Sequence, residues 1–231
     1  MTDPLLLVPG LLCDEALWQP QITHLAGKVE CLVGDTTKDD TAAGMAARIL
    51  AAAPPRFQLA GLSMGGYVVF EILRRAPERV SKLALLDTQA RPDTEEQRER
   101  RKGLMRLAEI GRFKGVTPRL LPMLVHEDRL SDTTLTEIVI GMAERIGKDA
   151  YLRQQNAILT RKDSRPMLSA LAIPTLVVCG QQDALTPPDR SEEMAAAIPG
   201  ARLELIDRCG HLSSLEHPGR VNDLFAEHFA G

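Results

Sequence analysis

The residues with the most chemical promise lie in QLAGLSMGGYVV, residues 58–69, where Gly61, Gly65 and Gly66 surround Ser63 between two apolar runs. Gly61-Leu62-Ser63-Met64-Gly65 fits G-x-S-x-G, a pattern that gains meaning when a strand precedes it and a helix follows. A strand-to-helix turn that sharp forces the serine into strained backbone angles. Side chains two positions to either side would collide, so both positions call for glycine. Gly66 then allows the helix to close on the sheet. The Ser63 hydroxyl is thereby expected at a helix N-terminus, where free N–H groups and the dipole favour negative charge. That setting suits nucleophilic attack on a carbonyl, with the oxyanion stabilised beside it. A phosphate loop is the competing interpretation, but the chain has no GKS, GKT or GxGxxG.

A serine at its free pKa needs a base, itself oriented by an acid. His211, in DRCGHLSSLEHP, follows the last predicted strand with Gly210 beside it, and is the expected base. His24 and His228 fall in helical surface patterns, His217 sits beside Pro218, and His126 in LVHEDRL could line a pocket. For the acid, Asp183 in VVCGQQDALTPP is preferred over Asp87 in LALLDTQ; both end strands on the same edge, and either could be a simple strand-end cap. The oxyanion donors are expected to be backbone N–H groups of Met64 and of Leu11, with Leu12 the alternative, in the loop VPGLLC. Ser63 would attack an ester carbonyl, His211 would take and return the proton, and Asp183 would orient the imidazole. Leu12, Met123, Leu124 and His126 are expected against the substrate, with Leu104, Met105, Leu120 and, from below, Met64 making the pocket mainly apolar. Arg and Lys residues nearby could instead grip a carboxylate.

These residues need a frame. Apolar runs at residues 5–8, 57–62, 82–86 and 175–179, with weaker ones at 29–33 and 202–206, alternate with helical patterns at 42–53, 64–75 and 189–198. Such alternation predicts a parallel α/β sheet covered on both faces. The chain between Asp87 and Thr175 is far longer than one crossover requires, and it reads as helical. Within it, Leu135, Ile138, Val139, Met142 and Ile146 recur at helical spacing, with Ser131 or Asp132 as a start signal and Gly147 as a stop. Residues 91–165 are therefore expected as a helical cap over the carboxyl ends of the strands, with residues 1–90 and 166–231 forming the core. The mixed-sign stretch EEQRERRKG, residues 95–103, reads as a solvated helix face.

A formal charge of −3 gives no field for attracting nucleic acid. The start has no basic leader and no run reaches membrane-spanning length. The four cysteines, widely spaced without a CxxC pair, give neither a zinc cage nor a disulfide framework. The expectation is a cytoplasmic protein acting on a small-molecule ester or lactone without metal or cofactor. Oligomeric state has no signature in the sequence.

GLSMGG, GQQDALTPP and CGHLSSLEHP resemble the serine, acid and histidine segments of the α/β-hydrolase superfamily, and the resemblance runs along nearly the whole chain. It is similar to the compact capped branch that holds 3-oxoadipate enol-lactonases, small carboxylesterases, the pimeloyl-carrier methyl esterase of biotin synthesis and carbon-carbon bond hydrolases. The resemblance implies the α/β-hydrolase fold with about six mainly parallel strands. With Met1 so close to Leu5, the leading hairpin of that fold is expected to be missing. That missing hairpin is one departure, and Pro9-Gly10 in place of a common His-Gly in the oxyanion loop is the other; the superfamily's dehalogenases carry aspartate where this chain has Ser63, so their chemistry is not expected. A triad-bearing small-molecule receptor is the alternative from outside enzymology.

Overall fold

Short apolar runs buried on both faces need no polar alternation, and here they become strands. In the computed structural model, which describes residues 2–231, they are β1 (Leu5–Val8), β2 (Cys31–Val33), β3 (Phe57–Leu62), β4 (Val80–Leu86), β5 (Thr175–Gly180) and β6 (Arg202–Ile206). They form one sheet in the order β2-β1-β3-β4-β5-β6, with every neighbouring pair parallel. The six-stranded parallel sheet flanked by helices matches the expected fold class. Met1, on which the missing leading hairpin was argued, lies outside the described residues.

The strand period of two divides the core. Leu5 and Leu7 join Trp18, Phe225 and Phe229 on the face covered by α1 (Gln19–Leu25) and α9 (Pro218–Phe229). Leu6 and Val8 join Met45, Phe70 and Met194 on the other face, under α2 (Ala42–Ala52), α3 (Met64–Arg75) and α7 (Pro188–Ala197).

Between β4 and β5 the chain forms α4 (Glu95–Leu107), several short turns, α5 (Thr133–Leu159) and α6 (Arg165–Leu168). Thr94 and Gln97 make a reciprocal capping box at the start of α4. Asp132 caps α5 by accepting from the Leu135 N–H at 3.1 Å. The sequence predicts a stop at Gly147, and that residue does leave helical geometry, with φ 71° and ψ 176°. The helix nevertheless resumes to Leu159, because Ala150, Tyr151, Gln154, Ala157 and Ile158 bury a second stripe. Leu135, Val139 and Met142 share a core with Leu62 and Leu86, so the inserted helices pack over the carboxyl ends of β3 and β4. α8 (Ser213–Glu216) completes the fold just before α9.

Candidate active site

Ser63 stands between β3 and α3 at φ 55° and ψ −117°, a strained conformation for a residue with a side chain. Its N–H donates to the Leu86 carbonyl at 3.0 Å, and Thr88 Oγ1 donates to its carbonyl at 2.7 Å. The flanking glycines answer three separate collisions. A Cβ on Gly61 would lie 2.7 Å from both the Gly65 backbone and Val69, while one on Gly65 would overlap the Val8 carbonyl. One on Gly66 would run into the Thr88 side chain.

The fold brings His211 and Asp183 to this turn. His211 Nε2 is 2.9 Å from Ser63 Oγ, and His211 Nδ1 is 2.8 Å from Asp183 Oδ2. The Asp183 carboxylate also accepts from the N–H groups of Leu185 at 2.8 Å and Thr186 at 3.0 Å, and from Thr186 Oγ1 at 2.7 Å. Burial works against the His211 imidazolium, but the Asp183 charge and hydrogen bond outweigh it and raise the histidine's pKa. Burial likewise works against the charged Asp183, and the attraction of His211 with the bonds from Thr186 reverses it, holding this carboxyl below its ordinary value.

Asp87 is fully buried and makes no hydrogen bond to His211. It accepts from the Gly180 N–H at 2.9 Å and the Ser213 N–H at 3.1 Å, and pairs with the Ser213 hydroxyl. Burial, reinforced by the Asp183 charge, pushes this carboxyl well above the carboxylate range. Asp87 thus staples β4 to β5 and to the segment carrying His211. Its ligand atoms lie within 4.8 Å of those of Cys179 and Asp183. Hydrogen bonds within the protein already account for both carboxylates.

Three contributors had no readable signal in the sequence. Thr186 fixes Asp183, as above. Glu216, buried, accepts from the N–H groups of Gly210 at 3.0 Å, Leu212 at 3.2 Å and His126 at 2.7 Å, clamping the His211 loop. Gln154, on α5, accepts from the Leu12 N–H at 3.0 Å while its amide donates to Thr36 Oγ1 at 3.2 Å. Of the two N–H groups in the loop after β1, that of Leu12 is occupied, whereas that of Leu11 has no acceptor among the described residues. Met64 is the first residue of α3, where no intrahelical partner exists for its N–H.

A cavity of about 330 Å³ opens beside Ser63 and His211, lined by Leu11, Leu12, Met123 and Leu124 among others. His126 does not line it. Its backbone is pinned by Glu216, and its ring turns to Asp128, with Nδ1 accepting from the Asp128 N–H at 3.2 Å. Leu104 and Leu120 reach the cavity, as expected, but Met105 and the Met64 side chain, packed instead with Tyr67 and Ile158, do not. The stretch expected as a solvated face is largely so: Glu95, Glu96, Glu99, Arg100 and Lys102 are exposed, but Arg100 and the half-buried Arg101 also line the cavity. All four cysteines are free, and burial pushes the Cys13 thiol at the cavity wall up to about 12, so it is no rival nucleophile. No helix is long and apolar enough to cross a membrane among the described residues.

The sheet order, the turn at Ser63 and the convergence of His211 and Asp183 on it define a class. The chain matches the α/β hydrolase family over residues 5–224, and it belongs to that family. Among solved structures it is similar to a thermophilic esterase from Thermogutta terrifontis, 32% identical, with 97% of this chain and 88% of that one covered at a TM-score of 0.87. The enol-lactonase from Burkholderia xenovorans LB400 shares the fold at a TM-score of 0.87 and 22% identity, with 100% of this chain and 93% of that one covered. A pimeloyl-acyl-carrier-protein methyl ester esterase from Neisseria meningitidis is 28% identical over 194 residues, 81% of this chain and 73% of that protein.

Proposed function

We propose that the protein is a serine hydrolase that cleaves carboxylic esters of small substrates through an acyl-enzyme on Ser63. The observation that carries this reading is the unbroken relay from Ser63 Oγ to His211 Nε2 at 2.9 Å and from His211 Nδ1 to Asp183 Oδ2 at 2.8 Å. In the first half-reaction His211 takes the Ser63 proton as the oxygen attacks the carbonyl carbon. The N–H groups of Leu11 and Met64 receive the oxyanion. His211 then protonates the departing alcohol, and Asp183 stabilises the imidazolium throughout. Water enters by the same route in reverse and releases the acid. The segment between β4 and β5 serves as a cap that closes the cavity, with Leu12, Met123 and Leu124 against the substrate. Esterase names among the relatives support an ester as substrate.

The test is steady-state hydrolysis of p-nitrophenyl acetate, butyrate and octanoate by the wild type and by Ser63→Ala. The expected result is multiple turnover in the wild type and a fall of about a millionfold in kcat for the variant, the scale seen when such a nucleophile is removed. Absence of turnover by folded wild-type protein, or full activity in Ser63→Ala, would overturn the reading.

A further inference from the structure

We infer that the cavity beside Ser63 holds a carboxylate carried by the substrate, bound at the guanidinium groups of Arg100 and Arg101. The inference rests on the ester-hydrolase reading above and specifies its substrate class. Its starting point is the helix α4. Gln97, Arg100, Arg101 and Leu104 follow the i, i+3, i+4, i+7 spacing of one helix face, and all four line the cavity. An amphipathic helix ordinarily turns its apolar stripe inward. This one presents two cations to a cavity whose other walls are largely leucine, valine and methionine.

The charges on that wall do not cancel. Arg101 Nε bonds Asp93 at 2.9 Å, and Arg161 Nη2 lies 2.8 Å from the other oxygen of the same carboxylate. One anion is thus shared by two guanidinium groups, and the side chains of Asp93 and Arg161 are only 2% and 3% exposed. Arg101 Nη1 turns to a neutral acceptor, Gln155 Oε1, at 2.6 Å. Arg161 Nη2 makes no proper hydrogen bond despite its approach to Asp93. Arg100 has no ion pair among the described residues; its nearest polar contact is Met123 Sδ at 3.7 Å. Arg100 and Arg101 line the cavity against the single carboxylate of Asp93, which Arg161, outside the lining, also shares; positive charge is in surplus, and no other Asp, Glu or Lys lines the cavity among the described residues. Arg101 is half-buried, and a cation held beside apolar walls is stabilised when an opposite charge joins it; Arg100, which is exposed, has no such partner among the described residues. The planar donor fork of arginine fits a carboxylate with two parallel bonds.

This cationic wall reaches the reacting serine. The Arg161 guanidinium lies over the Tyr67 ring at 4.2 Å, and Tyr67, one helical turn beyond Ser63, packs with Met64 and Leu11. A substrate short enough for the cavity can therefore keep its ester at Ser63 and its carboxylate at α4.

The carboxylate can sit on the acyl chain or on the leaving alcohol, and two substrate pairs separate these. Monomethyl glutarate, adipate and suberate are compared with methyl pentanoate, hexanoate and octanoate; acetate esters of 4-hydroxybenzoate are compared with those of 4-hydroxybenzamide. In one of the two arms the anionic ester is expected to exceed its neutral partner about tenfold in kcat/KM, the scale of one charge-assisted hydrogen bond. Arg100→Gln, a change at an exposed position, is expected to raise KM for that anionic ester about tenfold and to shrink its advantage over the neutral ester by the same factor. Added salt should weaken the preference. If the neutral esters turn over through Ser63 but neither arm shows a preference, or if Arg100→Gln slows both members equally, the carboxylate site is wrong and ester hydrolysis stands. If no ester of either kind turns over, both readings fall together.

Discussion

At the scale of single residues, the site depends on which protonation state each group keeps. His211 must be neutral to accept the Ser63 proton, and its pKa is raised because the Asp183 charge and hydrogen bond outweigh burial. The acid limb of kcat/KM is therefore expected to inflect above the ordinary histidine value of about 6.5. Asp183→Asn should move that inflection downward while cutting kcat by about four orders of magnitude, the effect known for an analogous triad. A pH–rate profile of both proteins measures this; an unshifted inflection in the variant would show that another group sets the limb. Linkage runs the opposite way for stability. The raised His211 pKa contributes stability below the unfolded histidine value and loses it as pH rises through the folded one. The lowered Asp183 pKa contributes stability above the unfolded carboxyl value and loses it on acidification through the folded one.

At the scale of elements, the loop after β1 is held by a helix more than a hundred residues away. Gln154 Oε1 fixes the Leu12 N–H, and the neighbouring Leu11 N–H, in the same cavity lining as Ser63, has no acceptor among the described residues. Gln154→Met keeps the length of the side chain but leaves a buried N–H unpaired, which costs about 1–3 kcal/mol. The expected outcome is that loss in urea unfolding together with a fall of about tenfold in kcat at nearly constant KM, less than the roughly 100- to 1000-fold cost of losing an oxyanion donor outright. Lost stability with unchanged kcat would confine Gln154 to a structural role.

At the scale of the whole molecule, the face of the sheet under α1 and α9 can be weakened without touching the cavity. Phe225 is fully buried, stacks on Trp18 at a centroid distance of 6.0 Å and meets Phe229 edge-on at 5.1 Å. Phe225→Ala is expected to destabilise the fold by about 3–5 kcal/mol, a large share of the roughly 5–15 kcal/mol typical of a whole protein. Turnover per folded molecule should be unchanged, because Phe225 is not a cavity residue. Chemical denaturation with activity measured at the folded plateau checks both halves.

The sequence by itself determined what is local. Strand, glycine turn and helix around Ser63 are contiguous, so the steric demands on Gly61, Gly65 and Gly66 are written in one short segment. The parallel sheet was legible because buried strands are continuous apolar runs, and the inserted helices because their apolar spacing repeats. Tertiary structure decided what depends on distant partners. Asp87 and Asp183 both end strands, and only the packing of the loops puts Asp183 against His211 and Asp87 against Ser213. Gly147 reads as a stop signal, yet the burial of the stripe beyond it restarts the helix. The charges of residues 95–103 read as solvated, and most are; a sequence cannot show that one face of that helix also borders a cavity. Local sterics are fixed by neighbours along the chain, whereas pairing and burial of polar groups are fixed by neighbours in space.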